Sequence, residues 1–193
     1  MKLNEEYWDQ QWAAQKTGWD VGKPTPPLMS IIDNYSGDLS DKVLIPGCGN
    51  AYEAEYLIQK GFTNITLIDI SETAVKKLQE KFRNFPQVKV VHQDFFKLTG
   101  NFDLILEQTF FCALPPESRS RYVEKMEELL SDGGKLCGVL FNRTFEKQGP
   151  PFGGNLKEYQ ELFKTKFNSI HMEECKNSIP PRLGNELLLI IRK

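Results

Sequence analysis

The residues of this sequence most suited to chemistry are a pair of glycines, two aspartates and three indoles. Gly47 and Gly49 flank Cys48 in the stretch Ile45-Pro46-Gly47-Cys48-Gly49-Asn50-Ala51, directly after the apolar run Val43 to Pro46. Glycine tolerates tight turns and lets main chain approach a ligand closely, although a two-glycine turn by itself serves any sharp bend. Its meaning here comes from Asp69, 22 residues beyond Gly47 at the end of the next apolar run. A carboxylate in that position accepts hydrogen bonds from ribose hydroxyls, so the pair points to a nucleoside. The dinucleotide fingerprint requires a third glycine to bring the helix under a pyrophosphate, and Tyr52 stands there instead. An adenosine without phosphates fits better. Asp94-Phe95-Phe96, after a third apolar run, offers a carboxylate for an adenine amino group and an aromatic wall beside it. Asp94 is equally suited to cap a helical turn.

These residues need elements to hold them, and the periodicity supplies those elements. Val43 to Pro46 reads as a strand, Ala51 to Lys60 as a helix stopped by Gly61, Ile65 to Ile70 as a strand, and Ser71 opens a helix towards Arg83. Val88 to Val91 and Asp103 to Leu106 read as strands. Arg119 to Leu130 reads as an amphipathic helix ended by Asp132-Gly133-Gly134, before a strand from Leu136 to Phe141. A helix near Leu156 to Lys164 and strands near Ile170 to Glu174 and Leu187 to Ile191 complete the chain. Parallel strands need crossover connections, so this alternation predicts an α/β fold: a doubly wound, mostly parallel, seven-stranded sheet covered on both faces. Residues 1–40 differ, with three tryptophans, Pro24, Pro26 and Pro27, and a helix from Leu28 to Tyr35. They read as an N-terminal helical cap on an α/β core of residues 41–193, the two forming one domain.

Composition narrows the partners. With 24 basic and 26 acidic residues in 193, the formal charge of −2 gives no electrostatic reason to expect nucleic acid or an anionic membrane. No apolar run approaches the roughly 20 residues of a membrane span, and the first six residues lack a secretory core, so a cytoplasmic location is expected. Cys48, Cys112, Cys137 and Cys175 form no C-x-x-C pair, and His92 and His171 lie far apart. Reduced core thiols and no metal site are expected.

The order and spacing of short motifs resemble those of the thiopurine S-methyltransferase superfamily, and within it the thiol and halide methyltransferase branch. They are Trp8-Asp9-Gln10-Gln11-Trp12, Thr17-Gly18-Trp19-Asp20-Val21-Gly22, Pro46-Gly47-Cys48-Gly49, Asp69-Ile70-Ser71, Asp94-Phe95-Phe96, Phe102-Asp103-Leu104-Ile105, Thr109-Phe110-Phe111-Cys112-Ala113-Leu114 and Gly149-Pro150-Pro151-Phe152. Ser178-Ile179-Pro180-Pro181-Arg182-Leu183-Gly184 extends the match to the thiol and halide branch. The resemblance implies a Rossmann-like class I methyltransferase that uses S-adenosylmethionine. It places Trp8, Trp12 and Trp19 in a lid over the cofactor, where an indole face near a sulfonium contributes roughly 0.5 to 2 kcal/mol. The alternative for Trp8 and Trp12, four residues apart, is a helix stripe packed on the core. Cofactor contacts fall on these indoles and on Gly47, Gly49, Asp69, Ile70, Asp94, Phe95 and Glu107. Glu107 is also the residue implied to face the transferred methyl group or the acceptor.

Two departures bear on the acceptor. Thiopurine-type members carry Asp-Arg where this chain has Glu107-Gln108, so a cation for an anionic aromatic thiol is missing. Plant thiol and halide enzymes carry tyrosine where this chain has Phe141. The expected function is methyl transfer from S-adenosylmethionine to a small thiol, hydrosulfide or halide by a monomer or weak dimer. A thiopurine-type aromatic thiol, a non-catalytic adenosylmethionine-binding module and a nicotinamide-dependent oxidoreductase are the alternatives. A DNA or RNA methyltransferase is disfavoured by the absence of a basic patch and of an N/D-P-P-Y stretch.

Overall fold

The computed structural model describes residues 3–193. Seven strands form one sheet: β1 (Val43–Pro46), β2 (Ile65–Asp69), β3 (Val88–His92), β4 (Phe102–Gln108), β5 (Leu130–Phe141), β6 (Ser169–Glu174) and β7 (Glu186–Arg192). Their order is β3-β2-β1-β4-β5-β7-β6, with only β7 antiparallel to its neighbours. The sheet reverses direction of growth between β1 and β4, and ligands of open α/β sheets bind in the crevice outside the carboxyl ends of strands at such a point.

The strands are apolar on both faces because helices cover both. Along β1, Val43 and Ile45 face one layer and Leu44 the other; along β4, Leu104 and Leu106 oppose Ile105. The first layer holds α2 (Pro26–Asp33), α3 (Tyr52–Gln59) and α4 (Glu72–Lys81), through Leu28, Ile32, Leu57, Leu78 and Phe82. The second holds α5 (Arg119–Leu129) and α6 (Leu156–Phe163), through Tyr122, Val123, Met126, Tyr159 and Phe163. This period of two is what buried parallel strands require.

Helix α1 (Glu5–Ala13) starts at Asn4, whose side chain accepts from Tyr7 N at 3.2 Å, and only Trp12 of its residues is buried. It lies against α4 rather than on the sheet. One expectation is corrected. Asp132-Gly133-Gly134 does not end α5, which stops at Leu129; Leu130 already pairs with Phe102, and the register shifts before Lys135 pairs with Leu104. Gly133 serves this irregular crossing at φ +78°, and its N–H donates to Lys193 O at 3.1 Å.

Candidate active site

Strand β1 ends in a turn whose backbone only glycine adopts without strain. Gly47 and Gly49 have φ of +55° and +52°. A Cβ on Gly47 would lie 2.3 Å from Phe110 Cδ2, so the missing side chain also admits that ring. A Cβ on Gly49 would lie 3.7 Å from the Trp12 ring and 4.0 Å from Trp19 Nε1. The turn is therefore covered by indoles. Trp19 packs edge-on against Trp8 at 5.6 Å and against Trp12 at 6.0 Å between centroids. Trp12, 6% exposed, is packed and also borders Gly49 together with half-buried Trp19, while half-buried Trp8 reaches the cluster through Trp19.

Asp69 ends β2 beside this turn. Its Oδ2 accepts from Gly49 N at 3.2 Å and its Oδ1 from Ser71 N at 2.9 Å. Burial pushes its carboxyl up, against the pull of these N–H donors and of Ile70 N. A carboxylate has about four lone-pair sites, so two donors leave it able to accept from a ribose diol. Ile70 follows, half-buried, with its carbonyl 3.1 Å from His92 Nε2.

The adenine residues divide. Asp94 Oδ1 accepts from Phe96 N at 2.9 Å, capping a short 3-10 turn over Phe95–Lys97, so its capping role is real and its second oxygen is separate from it. Phe95 is 5% exposed and packs among Phe96, Phe110 and Tyr122, because its side chain turns into the layer beneath the sheet edge. The ring thus packs in the core beside the short turn that Asp94 caps. Phe96 stays half-exposed, with the Arg121 guanidinium 4.3 Å above its ring.

Glu107 ends up fully buried. Its Oε1 accepts from Phe110 N at 2.9 Å and Phe111 N at 3.0 Å, and its Oε2 from Tyr122 Oη at 2.7 Å. Burial raises its carboxyl to about 7 despite these three donors. Both oxygens are thus engaged by protein, and Glu107 reaches the site through the loop it holds. That loop includes Thr109 at φ +60°, a conformation costly for a β-branched residue and characteristic of segments held under constraint at functional sites. Gln108, by contrast, points towards the N-terminal segment: its Oε1 accepts from Thr25 Oγ1 at 2.8 Å.

Beside Glu107 lies a closed crevice, with no room for a water-sized molecule in this conformation, lined by Thr109, Cys112, Val139, Leu140, Phe141 and Glu186 at the carboxyl ends of β4 and β5. Burial pushes the Cys112 thiol well up, so it stays protonated and inert. Arg182 enters from the β6–β7 connection. Its Nη2 donates to Trp19 O at 3.1 Å, its guanidinium carbon lies 5.5 Å from the Phe141 ring, and its Nη1 is 3.5 Å from Glu186 Oε1. Nη1 is buried without a hydrogen-bond acceptor. Glu186, also buried, has its carboxyl raised by desolvation against the pull of Ser178 and Arg182.

Sequence reasoning gave no role to four residues that shape this site. Asp9 binds the start of α4, Asp20 accepts from Asn50 Nδ2 at 2.6 Å and Tyr52 Oη at 3.3 Å, Thr25 holds Gln108, and Arg182 approaches the cleft. Asp9, Asp20 and Arg182 sit in the motifs that carry the resemblance, and Thr25 stands with Pro26 just beyond the second of them. Among the described residues no cluster of three or more His, Cys, Asp or Glu is placed to hold a metal, and no helix is long and apolar enough to cross a membrane.

A doubly wound sheet of this order, with a single antiparallel strand next to its far edge and a glycine turn at its switch point, gives the chain the class I methyltransferase fold. The family model for thiopurine S-methyltransferase matches residues 3–187, and the chain belongs to that family, whose members use S-adenosylmethionine. It is 34% identical over 188 residues to a probable thiol methyltransferase 2 of Arabidopsis thaliana, covering 94% of this chain and 82% of that one. It is 32% identical over 192 residues to thiocyanate methyltransferase 1 of the same plant, covering 96% and 84%. In fold it is similar to the 1,6-didemethyltoxoflavin-N1-methyltransferase of Burkholderia thailandensis, solved with S-adenosylhomocysteine, at a TM-score of 0.79, 17% identity and coverage of 98% and 86%.

Proposed function

We propose that this S-adenosylmethionine-dependent methyltransferase acts on a small anionic sulfur nucleophile, a thiolate or hydrosulfide, with thiocyanate and halide as related acceptors, in the cleft between the β4 loop and Arg182. The observation that carries the reading is the buried Arg182 guanidinium at the edge of an aromatic crevice, whose Nη1 lies 3.5 Å from Glu186 Oε1 and has no well-aligned hydrogen-bond acceptor. A buried N–H without a well-aligned acceptor costs roughly 1 to 3 kcal/mol, and an anionic acceptor that competes with Glu186 for this guanidinium relieves that cost. The names of the plant relatives, a thiol and a thiocyanate methyltransferase, agree with a slender acceptor.

The residues fit the cofactor. The turn at Gly47 and Gly49 leaves main chain open to the methionine portion, Asp69 receives the ribose hydroxyls, and the free oxygen of Asp94 suits the adenine amino group. Trp8, Trp12 and Trp19, within a lid made by residues 3–40, close over the site, and their faces favour a positive charge. S-adenosylmethionine, when bound, supplies the methyl group on a cationic sulfur. A thiolate needs no strong base, so the chain contributes position and dryness. Glu107 sets the Phe110–Phe111 main chain, and Arg182 with Phe141 orients the acceptor. Alignment of this kind supplies roughly 7 to 11 kcal/mol of a bimolecular barrier.

The test is calorimetric titration with S-adenosylmethionine followed by a methyl-release panel over hydrosulfide, small thiols, thiocyanate, iodide and an aromatic thiol. Turnover of the small anions, with KM for them raised at least about tenfold in Arg182→Met and by more than any change in cofactor affinity from the lost bond to Trp19 O, supports the assignment. Turnover confined to the bulky aromatic thiol, or an unchanged KM in Arg182→Met, removes it.

A further inference from the structure

Helix α1 has little to hold it. It is nine residues long, buries only Trp12, and packs beside the sheet rather than upon it. Its one charge-assisted attachment to the first turn of α4 is Asp9. Asp9 Oδ1 accepts from Ser71 Oγ at 2.5 Å and from Thr73 N at 3.0 Å. Ser71 is the N-cap of α4, with its Oγ also accepting from Ala74 N at 3.2 Å. The free N–H groups that every helix start exposes are thus shared between its own cap and a carboxylate brought from another helix, where the helix dipole favours negative charge. The hydrogen bonds from Ser71 and Thr73, with His92 nearby, outweigh burial and hold the Asp9 carboxyl below its ordinary value, so the contact is ionic at neutral pH.

The same serine faces the cofactor carboxylate. Ser71 N donates to Asp69 Oδ1 at 2.9 Å, Asp69 Oδ2 accepts from Gly49 N at 3.2 Å, and Trp12 and Trp19 stand over Gly49. A closed circuit therefore runs from α1 through Asp9, Ser71, Asp69 and Gly49 back to the indoles of the lid. The other polar links of α1 are weaker: Glu5 lies 3.1 Å from the exposed His92 ring, and only a charged imidazole makes that an ion pair.

We propose that Asp9 is a positioning residue, the latch that holds the indole lid shut over bound cofactor and so sets the rate at which S-adenosylmethionine enters and S-adenosylhomocysteine leaves. This rests on Asp69 binding the cofactor ribose. Loss of the latch opens the lid more often without altering the groups at the reacting atoms. Two hydrogen bonds to a charged acceptor correspond to at least about tenfold in an exchange rate.

All three tryptophans of the chain lie in this lid, so intrinsic indole emission reports it directly. Wild type, Asp9→Asn and Asp9→Ala are each loaded with S-adenosylhomocysteine, and its release is followed by stopped-flow fluorescence on dilution, alongside steady-state kinetics. The expected result is release at least about tenfold faster in Asp9→Ala. KM for S-adenosylmethionine rises in proportion while kcat is held or increases, and Asp9→Asn, which keeps an acceptor oxygen, is intermediate. A merely structural loss would lower kcat with the folded fraction and leave the release rate of the folded protein alone. Release from both variants within twofold of wild type overturns the latch. Failure of wild type to bind either nucleoside overturns the reading of Asp69 instead.

Discussion

Glu107 carries the most exposing test of the site's energetics. Its carboxyl rises from 4.5 to about 7 through burial, which at about 1.4 kcal/mol per pH unit corresponds to about 3 kcal/mol. The folded protein holds this proton more tightly than the unfolded chain, so stability from this group is full below pH 4.5, falls as pH rises to about 7, and is level above that. Glu107→Gln does not titrate. Its amide oxygen still accepts from Phe110 N and Phe111 N, and its NH2 group faces the Tyr122 hydroxyl, which can accept. Urea unfolding of both proteins at pH 5, 6, 7 and 8 gives the difference in stability, from which Asp69, Glu53 and Glu186, all with raised carboxyls, cancel. That difference should shift in favour of Glu107→Gln by about 2.5 kcal/mol between pH 5 and 8, most of it by pH 7, and then level off. A difference independent of pH, or one moving the opposite way, would refute the account of Glu107 as a desolvated carboxylate held by three donors.

Asp69→Ala should weaken S-adenosylmethionine binding by about ten- to a hundredfold, the worth of charged hydrogen bonds of roughly 1.5 to 3 kcal/mol, as read by calorimetry. Unchanged affinity would place the ribose elsewhere. Gly47→Ala should lose at least about 2 kcal/mol and lower Tm by at least about 4 °C, because it adds backbone strain to a clash with Phe110. Gly133→Ala, with a positive φ but open space around its Cβ, should lose about half as much. Equal losses in the two variants would show that the Phe110 contact carries no weight.

The central strands and the cofactor edge were legible because local signals coincide there with global ones. Val43 to Pro46 and Ile65 to Asp69 are apolar on both faces, each is bounded by a turn or a cap, and the glycine turn and Asp69 follow from their ends. What local pattern could not show was direction. Phe95 and Phe96 are adjacent in sequence and identical in chemistry, yet one enters the core and the other remains at the surface. Glu107 reads as a carboxylate at a strand's carboxyl edge, and only the fold reveals that Phe110, Phe111 and Tyr122 occupy it. Asp9, Thr25 and Arg182 act across 62, 83 and 163 residues of sequence, distances over which a single chain gives no periodic signal. The end of α5 was misjudged for a related reason: paired glycines usually close a helix, and here strand pairing with Phe102 ends it earlier.

The Phe110 ring touches both halves of the site. Its amide is fixed by Glu107 on the acceptor side, and its face fills the space that a side chain on Gly47 would take on the cofactor side. Any acceptor that displaces this ring must therefore alter how the glycine turn receives adenosylmethionine. Thermodynamic reciprocity then requires the cofactor to change acceptor affinity by the same factor. Acceptor and cofactor would then report on one another through this one ring, and the order in which they are added would leave the final complex unchanged while altering the path to it.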